Sequence, residues 1–207
     1  MARMRYSNPV IEREVVIHTE YAQRTYTRAQ WFRRVTRALH AIDVILRIIG
    51  EDKEIDAVES TIEEMMSEWV REAEAERARL QELRKSNAVT NDTSYTRPLM
   101  AKVAIMSPQI SRLVEIILIY DAMVKDVDAL WMNEVLTNKQ RREFIHSWMQ
   151  RTLRLGNKMV EIEQRAHRAA KSANKDAEVK ESLGDQEAIP DGDDVMADVD
   201  TAKAANA

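Results

Sequence analysis

The spacing of apolar residues predicts two successive strand–helix–helix units. In the first unit, Ile11 to Tyr26 is predicted to be extended, because apolar residues share one parity and β-branched or aromatic residues are frequent. The helix that follows ends at Gly50, and a second amphipathic helix continues toward Lys85. The buried side of the first helix is expected to comprise Trp31, Phe32, Val35, Leu39, Ile42, Leu46 and Ile49.

The second unit begins after a polar linker over residues 87–96. From Leu99 to Met106, apolar residues alternate with Met100, Lys102 and Ala104, which is typical of a half-buried strand. One helix is predicted to follow as far as Trp131, and another from about residue 138 until the sequence becomes charged near residue 175.

Three short patterns indicate where helices begin. Thr27 precedes Gln30 by three residues and Thr137 precedes Gln140 by three, so each threonine is expected to cap a helix by accepting from the backbone N–H of the glutamine. Ser107 followed by a proline is the third start signal, because proline is well tolerated at the first helical position.

Charge divides the chain more clearly than its net value of −4 suggests. Residues 1–50 and 91–175 are basic, the segment between them is acidic, and residues 176–207 contain ten acidic residues against two lysines. We therefore predict two halves, residues 1–90 and 91–175, that form one domain, followed by a disordered acidic tail over residues 176–207.

No catalytic or metal-binding motif is visible. The chain has no cysteine, its four histidines lack metal-ligand spacing, and it contains neither a glycine-rich phosphate loop nor a nucleophile elbow. We expect a non-enzymatic protein without a cofactor, metal or small-molecule ligand. The pairs Glu63/Glu64 and Asp126/Asp128 are predicted to lie on solvated helix faces, and the four tryptophans in the core.

The longest apolar run is too short to span a membrane, and the first ten residues lack the apolar stretch of a signal peptide. A cytoplasmic protein is therefore expected, with no membrane partner.

The second strand has the pattern of a β ribbon that reads double-stranded DNA. Paired antiparallel, such strands enter the major groove, one face packing on helices and the other facing bases. Lys102 would then donate to guanine. Arg97 and the start of the helix that follows Ser107 would hold phosphates. The candidate DNA-binding residues are Lys102, Arg97, Met100, Ser107, Gln109, Arg24 and Arg28.

Two other interpretations remain open at this point. The strand over residues 99–106 fits equally well as a strand packed within a helical domain. The first extended segment suits DNA less, because Glu12, Glu14 and Glu20 face outward and would repel phosphates. A helical scaffold or adaptor that binds another protein is the alternative function.

Four stretches of the sequence resemble a known family: residues 97–103, 128–131, 138–142 and 148–154. They are similar to the AcaB-like transcriptional regulators of conjugative plasmids and integrating conjugative elements. The resemblance implies a mainly α, ribbon–helix–helix-like homodimer, with a short β ribbon and long amphipathic helices, that binds promoter DNA and controls transfer genes. Which strand contacts DNA, and whether the ribbon forms within one chain or between two, stays open.

Overall fold

The computed structural model describes residues 9–50 and 52–184, and most of these are helical. In chain order the elements are β1 (Ile11–Ile17), α1 (Glu20–Thr27), a short 3-10 helix (Arg28–Gln30), α2 (Trp31–Ile49), α3 (Asp52–Ser86), β2 (Leu99–Ile105), α4 (Pro108–Met132), α5 (Asn138–Ser172) and α6 (Asp176–Leu183). The predicted order of strand, helix, helix, repeated once, is confirmed, with α1 and α6 in addition.

Two strands form an antiparallel ribbon within one chain. The register pairs Ile11 with Ile105, Glu14 with Lys102 and Ile17 with Leu99. Ala101, Val103 and Ile105 are buried, whereas the side chains at 100 and 102 are exposed, as their alternation predicted. The ribbon is therefore complete without a second chain.

The prediction of an extended segment as far as Tyr26 is wrong beyond Ile17. The Oγ1 of Thr19 accepts a hydrogen bond from the N–H of Ala22 at 3.3 Å and starts α1. The backbone N–H of Thr19 itself donates to Asp121 in α4 at 2.7 Å. The strand therefore ends at a local signal, the Thr19 cap, and is also held there by a contact with a distant helix, which the sequence does not show.

Of the three predicted helix starts, two are confirmed. Ser107 caps α4 through its Oγ, and the full capping box at Thr137 begins α5. The prediction of a capping box at Thr27 is wrong, because the Thr27 hydroxyl donates to the backbone oxygen of Gln23 at 3.0 Å. Gln30 has a left-handed backbone with φ of 54°, and α2 begins directly after it.

The two halves pair with each other reciprocally. The antiparallel strands pair with each other, α2 packs mainly on α5, and α3 packs mainly on α4. Each half thus places its first helix against the second helix of the other half. Gly156 permits the closest approach of α2 and α5, since a Cβ there would lie 2.3 Å from the Trp31 ring.

One hydrophobic core joins both halves, and α4 runs through it. Nearly every turn of α4 contributes a fully buried side chain, including Leu113, Tyr120 and Leu130. Trp31, Trp69, Trp131 and Trp148 were expected in the core; the first, second and fourth are buried, and Trp131 is half-buried. No helix in the described ranges is sufficiently long and apolar to cross a membrane.

The predicted start of the disordered tail at residue 176 differs from the structure. Asp176–Leu183 form α6, whose Val179 is fully buried against Ala41, Ile45 and Ala170. Burial of this apolar side chain offsets part of the cost of ordering the short helix. The rest of the predicted tail, residues 185–207, and residues 1–8 lie outside the described residues.

Candidate nucleic-acid interface

The outer face of the ribbon is built from alternate residues of both strands. On this face Glu12 lies opposite Ala104, Glu14 opposite Lys102, and Val16 opposite Met100. These positions point away from the core because the other parity of each strand packs on the helices. The two candidates on β2, Lys102 and Met100, are therefore exposed side by side, as expected.

Intrachain pairing gives Lys102 an acidic neighbour. Its Nζ lies 3.7 Å from an Oε1 of Glu14, and about 70% of each side chain is exposed (71% and 70%). Such a solvated ion pair contributes about 0.2–1 kcal/mol to folding stability, and salt screens it. With Glu12 also present, the face carries two acids and one base, so its charge does not attract phosphate by itself.

The candidate arginines gather near one end of the ribbon. Gln23 in α1 donates through Nε2 to the backbone oxygens of Ile17 at 3.0 Å and Arg97 at 2.8 Å. This bridge holds α1 against the strand ends. Arg97 and Arg28 are exposed, and Arg24 is exposed but pairs with Glu20 on the same helix.

The other two candidates lie at the opposite end, about 20 Å away for a strand of this length. Ser107 is buried, and its Oγ accepts from the N–H of Ile110 at 3.4 Å. Because Pro108 has no N–H and that of Ile110 is occupied, Gln109 alone has a free N–H among the first three helical residues. The helix start is thus a weaker phosphate site than predicted, and the structure does not bring it together with Arg97.

Three aspartates of α4 are buried and paired. Asp121 accepts from the backbone N–H groups of His18 at 3.0 Å and Thr19 at 2.7 Å. Asp126 accepts from Arg84 Nη1 at 2.7 Å, and this hydrogen bond raises the pKa of the guanidinium. The prediction of solvated faces is therefore wrong for Asp126 and Asp128, although it holds for Glu63 and Glu64, which are exposed.

The third aspartate, Asp128, joins two of the sequence stretches quoted above, residues 128–131 and 138–142. It accepts from Tyr95 Oη at 2.8 Å and from Arg141 Nε at 2.6 Å. The guanidinium of Arg141 lies over the Trp131 ring, 4.6 Å from its centroid. Burial, and then the hydrogen bond to Asp128, raise the pKa of Tyr95 well above its usual range. This cluster holds the linker and the start of α5 against α4.

A solved structure matches this chain over most of its length. The crystal structure of selenomethionine-containing AcaB from uropathogenic E. coli is 38% identical in sequence, with a TM-score of 0.82, and the match covers 86% of this chain and 91% of that one. The chain belongs to the AcaB family. No family model and no curated protein matches it.

Membership of the AcaB family confirms the resemblance read from the sequence. The quoted stretches that surround Trp131 and begin α5 meet at Asp128 and Arg141, so their place in the structure is to hold elements together. In the described part of the chain, no group of three or more histidine, aspartate or glutamate side chains is arranged to hold a metal.

Proposed function

We propose that this AcaB-family protein is a non-enzymatic, DNA-binding transcriptional regulator that controls conjugative-transfer genes. The observation that carries the proposal is the 38% identity with AcaB across most of both chains. The exposed antiparallel ribbon supports it, because a two-stranded ribbon fits the major groove of duplex DNA. In this proposal Met100 and Lys102 face the bases, while Arg97, Arg24 and Arg28 contact phosphates at one end.

A gel shift with promoter fragments from the host element, at 50 and 200 mM salt, tests the proposal. We expect binding that weakens steeply with salt and prefers one fragment over a shuffled duplex of the same composition. Absence of salt-dependent binding to every duplex would refute the function.

The ribbon's part in reading bases can be tested separately, with a matched pair of variants. Lys102→Ala should weaken the preferred site by about 1–3 kcal/mol and relax the preference at one base pair. Glu14→Gln removes the acid that faces Lys102 and should strengthen binding, because one repulsion toward phosphate is lost. If both variants bind like the wild type, the ribbon is not the element that reads DNA.

We further propose that the protein acts as a homodimer. Each of β1 and β2 has one edge that no described strand covers, and free strand edges favour pairing with another chain. Sedimentation at micromolar concentration should show a dimer. A stable folded monomer would refute the homodimer, and would leave the intrachain ribbon unaffected.

One observation favours a second function, that of an adaptor which binds another protein of the conjugative element. The ribbon exposes apolar side chains, with Ile11 68% and Met100 58% accessible, next to more acid than base. Exposed apolar surface of this kind is found at protein contacts. Co-purification of a protein partner that Met100→Glu abolishes, together with no DNA binding, would establish this alternative.

A further inference from the structure

The solvent-facing side of α5 carries a mainly basic stripe. Six exposed residues recur at intervals of three and four, so they lie within one narrow arc of the helix. The stripe extends for about 26 Å at 1.5 Å per residue. It consists of Arg151, Arg154, Lys158, Glu161, Arg165 and Arg168.

The charge of this stripe contrasts with that of the ribbon. Five of its six residues are basic and one is acidic, whereas the ribbon face holds two acids and one base. At its border, Arg34 of α2 adds a further cation, with its Nη2 donating to Asn157 Oδ1 at 3.1 Å. Attraction to an extended polyanion therefore favours α5 over the ribbon.

Few carboxylates neutralise the stripe. Arg151 at one end is paired with Glu72 at 2.8 Å. Glu163 is next to His167, and in the described part of the chain Arg154, Lys158 and Arg165 form no salt bridge. These three cations are thus available to an external anion, and Glu161 is the one carboxylate of the stripe that lies between them.

The two longest helices of the chain, α3 and α5, differ sharply in charge. Each has 35 residues, yet α3 contains eleven acidic and six basic residues, and α5 contains three acidic and nine basic residues. Solubility alone requires only that charges of both signs be mixed on each helix, and it does not require cations to be concentrated on α5. The cations are thus concentrated on α5 and the acids on α3, so α5 is the long helix that attracts a polyanion.

We infer that this stripe binds the phosphate backbone of double-stranded DNA. The inference rests on the proposed DNA-binding function and adds a second contact surface to the ribbon. Arg154 and Lys158 lie about one helical turn apart and Arg165 about two turns further, so cations recur about every 5–10 Å along the helix, within reach of the dense phosphate charge of a duplex. Because α5 packs on α2 along its other side, the stripe stays free to face the phosphate backbone. The stripe thus supplies affinity that is independent of base sequence.

The test uses the full chain with Arg154, Lys158 and Arg165 each changed to glutamine. Binding to a promoter duplex and to an unrelated duplex is followed by fluorescence anisotropy between 50 and 200 mM salt. We expect both affinities to fall by the same factor, and the slope of log affinity against log salt to decrease by about 2–3, from roughly 0.9 per phosphate contact.

A matched control removes the same charge from the other long helix: Arg71→Gln, Arg79→Gln and Lys85→Gln on exposed positions of α3. This variant should keep nearly the wild-type slope. Glu161→Gln, which removes the acid from the stripe, should increase affinity for both duplexes. Circular dichroism should show all variants folded, since every changed side chain is exposed.

The outcomes separate the inference from the function it rests on. If the wild type binds DNA and the stripe variant keeps the wild-type slope, or loses no more than the α3 control, the inference is overturned and the proposed function stands. If the wild type itself binds no duplex, both are overturned.

Discussion

Replacing Gly156 with alanine tests how closely α2 and α5 approach each other. An added Cβ would lie 2.3 Å from Trp31 Cζ2, 2.7 Å from Trp31 Cε2 and 2.7 Å from a methyl carbon of Val35. All three distances are far below van der Waals contact. Either the helices separate, or the indole leaves a site where it is 3% exposed.

Two opposing contributions set the size of the effect. Alanine in a helix interior is favoured over glycine by about 1 kcal/mol, whereas overpacking a core costs about 1–3 kcal/mol. Since the contacts are with a rigid ring and a β-branched side chain, we take the upper part of that range. We therefore expect Gly156→Ala to lose about 1–2 kcal/mol of unfolding free energy, or about 2–8 °C in Tm.

Urea unfolding followed by circular dichroism measures this loss, with Gly184→Ala as the control. A Cβ at Gly184 meets nothing within 4 Å, so that variant should be neutral or slightly more stable. Trp31→Phe removes the indole atoms that clash, and the double variant Trp31→Phe/Gly156→Ala should therefore be more stable than the sum of the single effects. A Gly156→Ala protein as stable as the wild type would refute the close packing of α2 on α5.

The remaining predictions concern buried polar groups. Asp128→Ala should lower the unfolding free energy in urea by about 3 kcal/mol or more, because it leaves Arg141 without its carboxylate. Tyr95→Phe removes only one hydrogen bond and should lower it by about 1 kcal/mol. Equal losses would contradict the central place of Asp128. Burial lowers the pKa of His40, so the unfolded chain binds its proton more tightly, and stability should fall as pH decreases below about 6.5. His40→Leu should make the loss between pH 7.5 and pH 5.5 smaller, and an unchanged loss would contradict this assignment.

Local signals predicted much of the fold. Ser107 and Thr137 start helices as expected because a cap is a contact between residues three apart, which the sequence displays directly. The same kind of pattern misled at Thr27, since the preceding turn was already helical. That helix begins at Thr19, whose N–H is held by Asp121 from a distant part of the chain.

The buried aspartates were missed for a related reason. Spacing along one helix shows whether two acids face each other, but not whether a neighbouring helix covers them. Arg84 and Arg141, which pair with Asp126 and Asp128, come from α3 and α5. A signal was nevertheless present: α4 is apolar almost all round, and a helix of that kind is buried.

For the candidate interface, the alternation of apolar and polar residues in β2 correctly placed Lys102 on the outer face. It did not reveal which residue of the other strand lies next to Lys102. Glu14 became the neighbour of Lys102 only once the strand partner and register were known. The basic spacing on α5 is visible in the sequence from Arg151 to Arg168. Its exposure, however, depends on which side of the helix α2 covers.

The crossed packing of the two halves also affects how the chain folds during synthesis. When α2 has left the ribosome, most of its apolar side stays uncovered until α5 follows, and β1 has no partner until β2 appears. The intervening roughly 100 residues take about 5–20 s to synthesise, at 5–20 residues per second. During that interval the nascent first half exposes a strand edge and a row of large apolar side chains, the kind of surface that chaperones bind.

Contacts between such distant residues also slow folding, and neither half expressed alone should reach a native state.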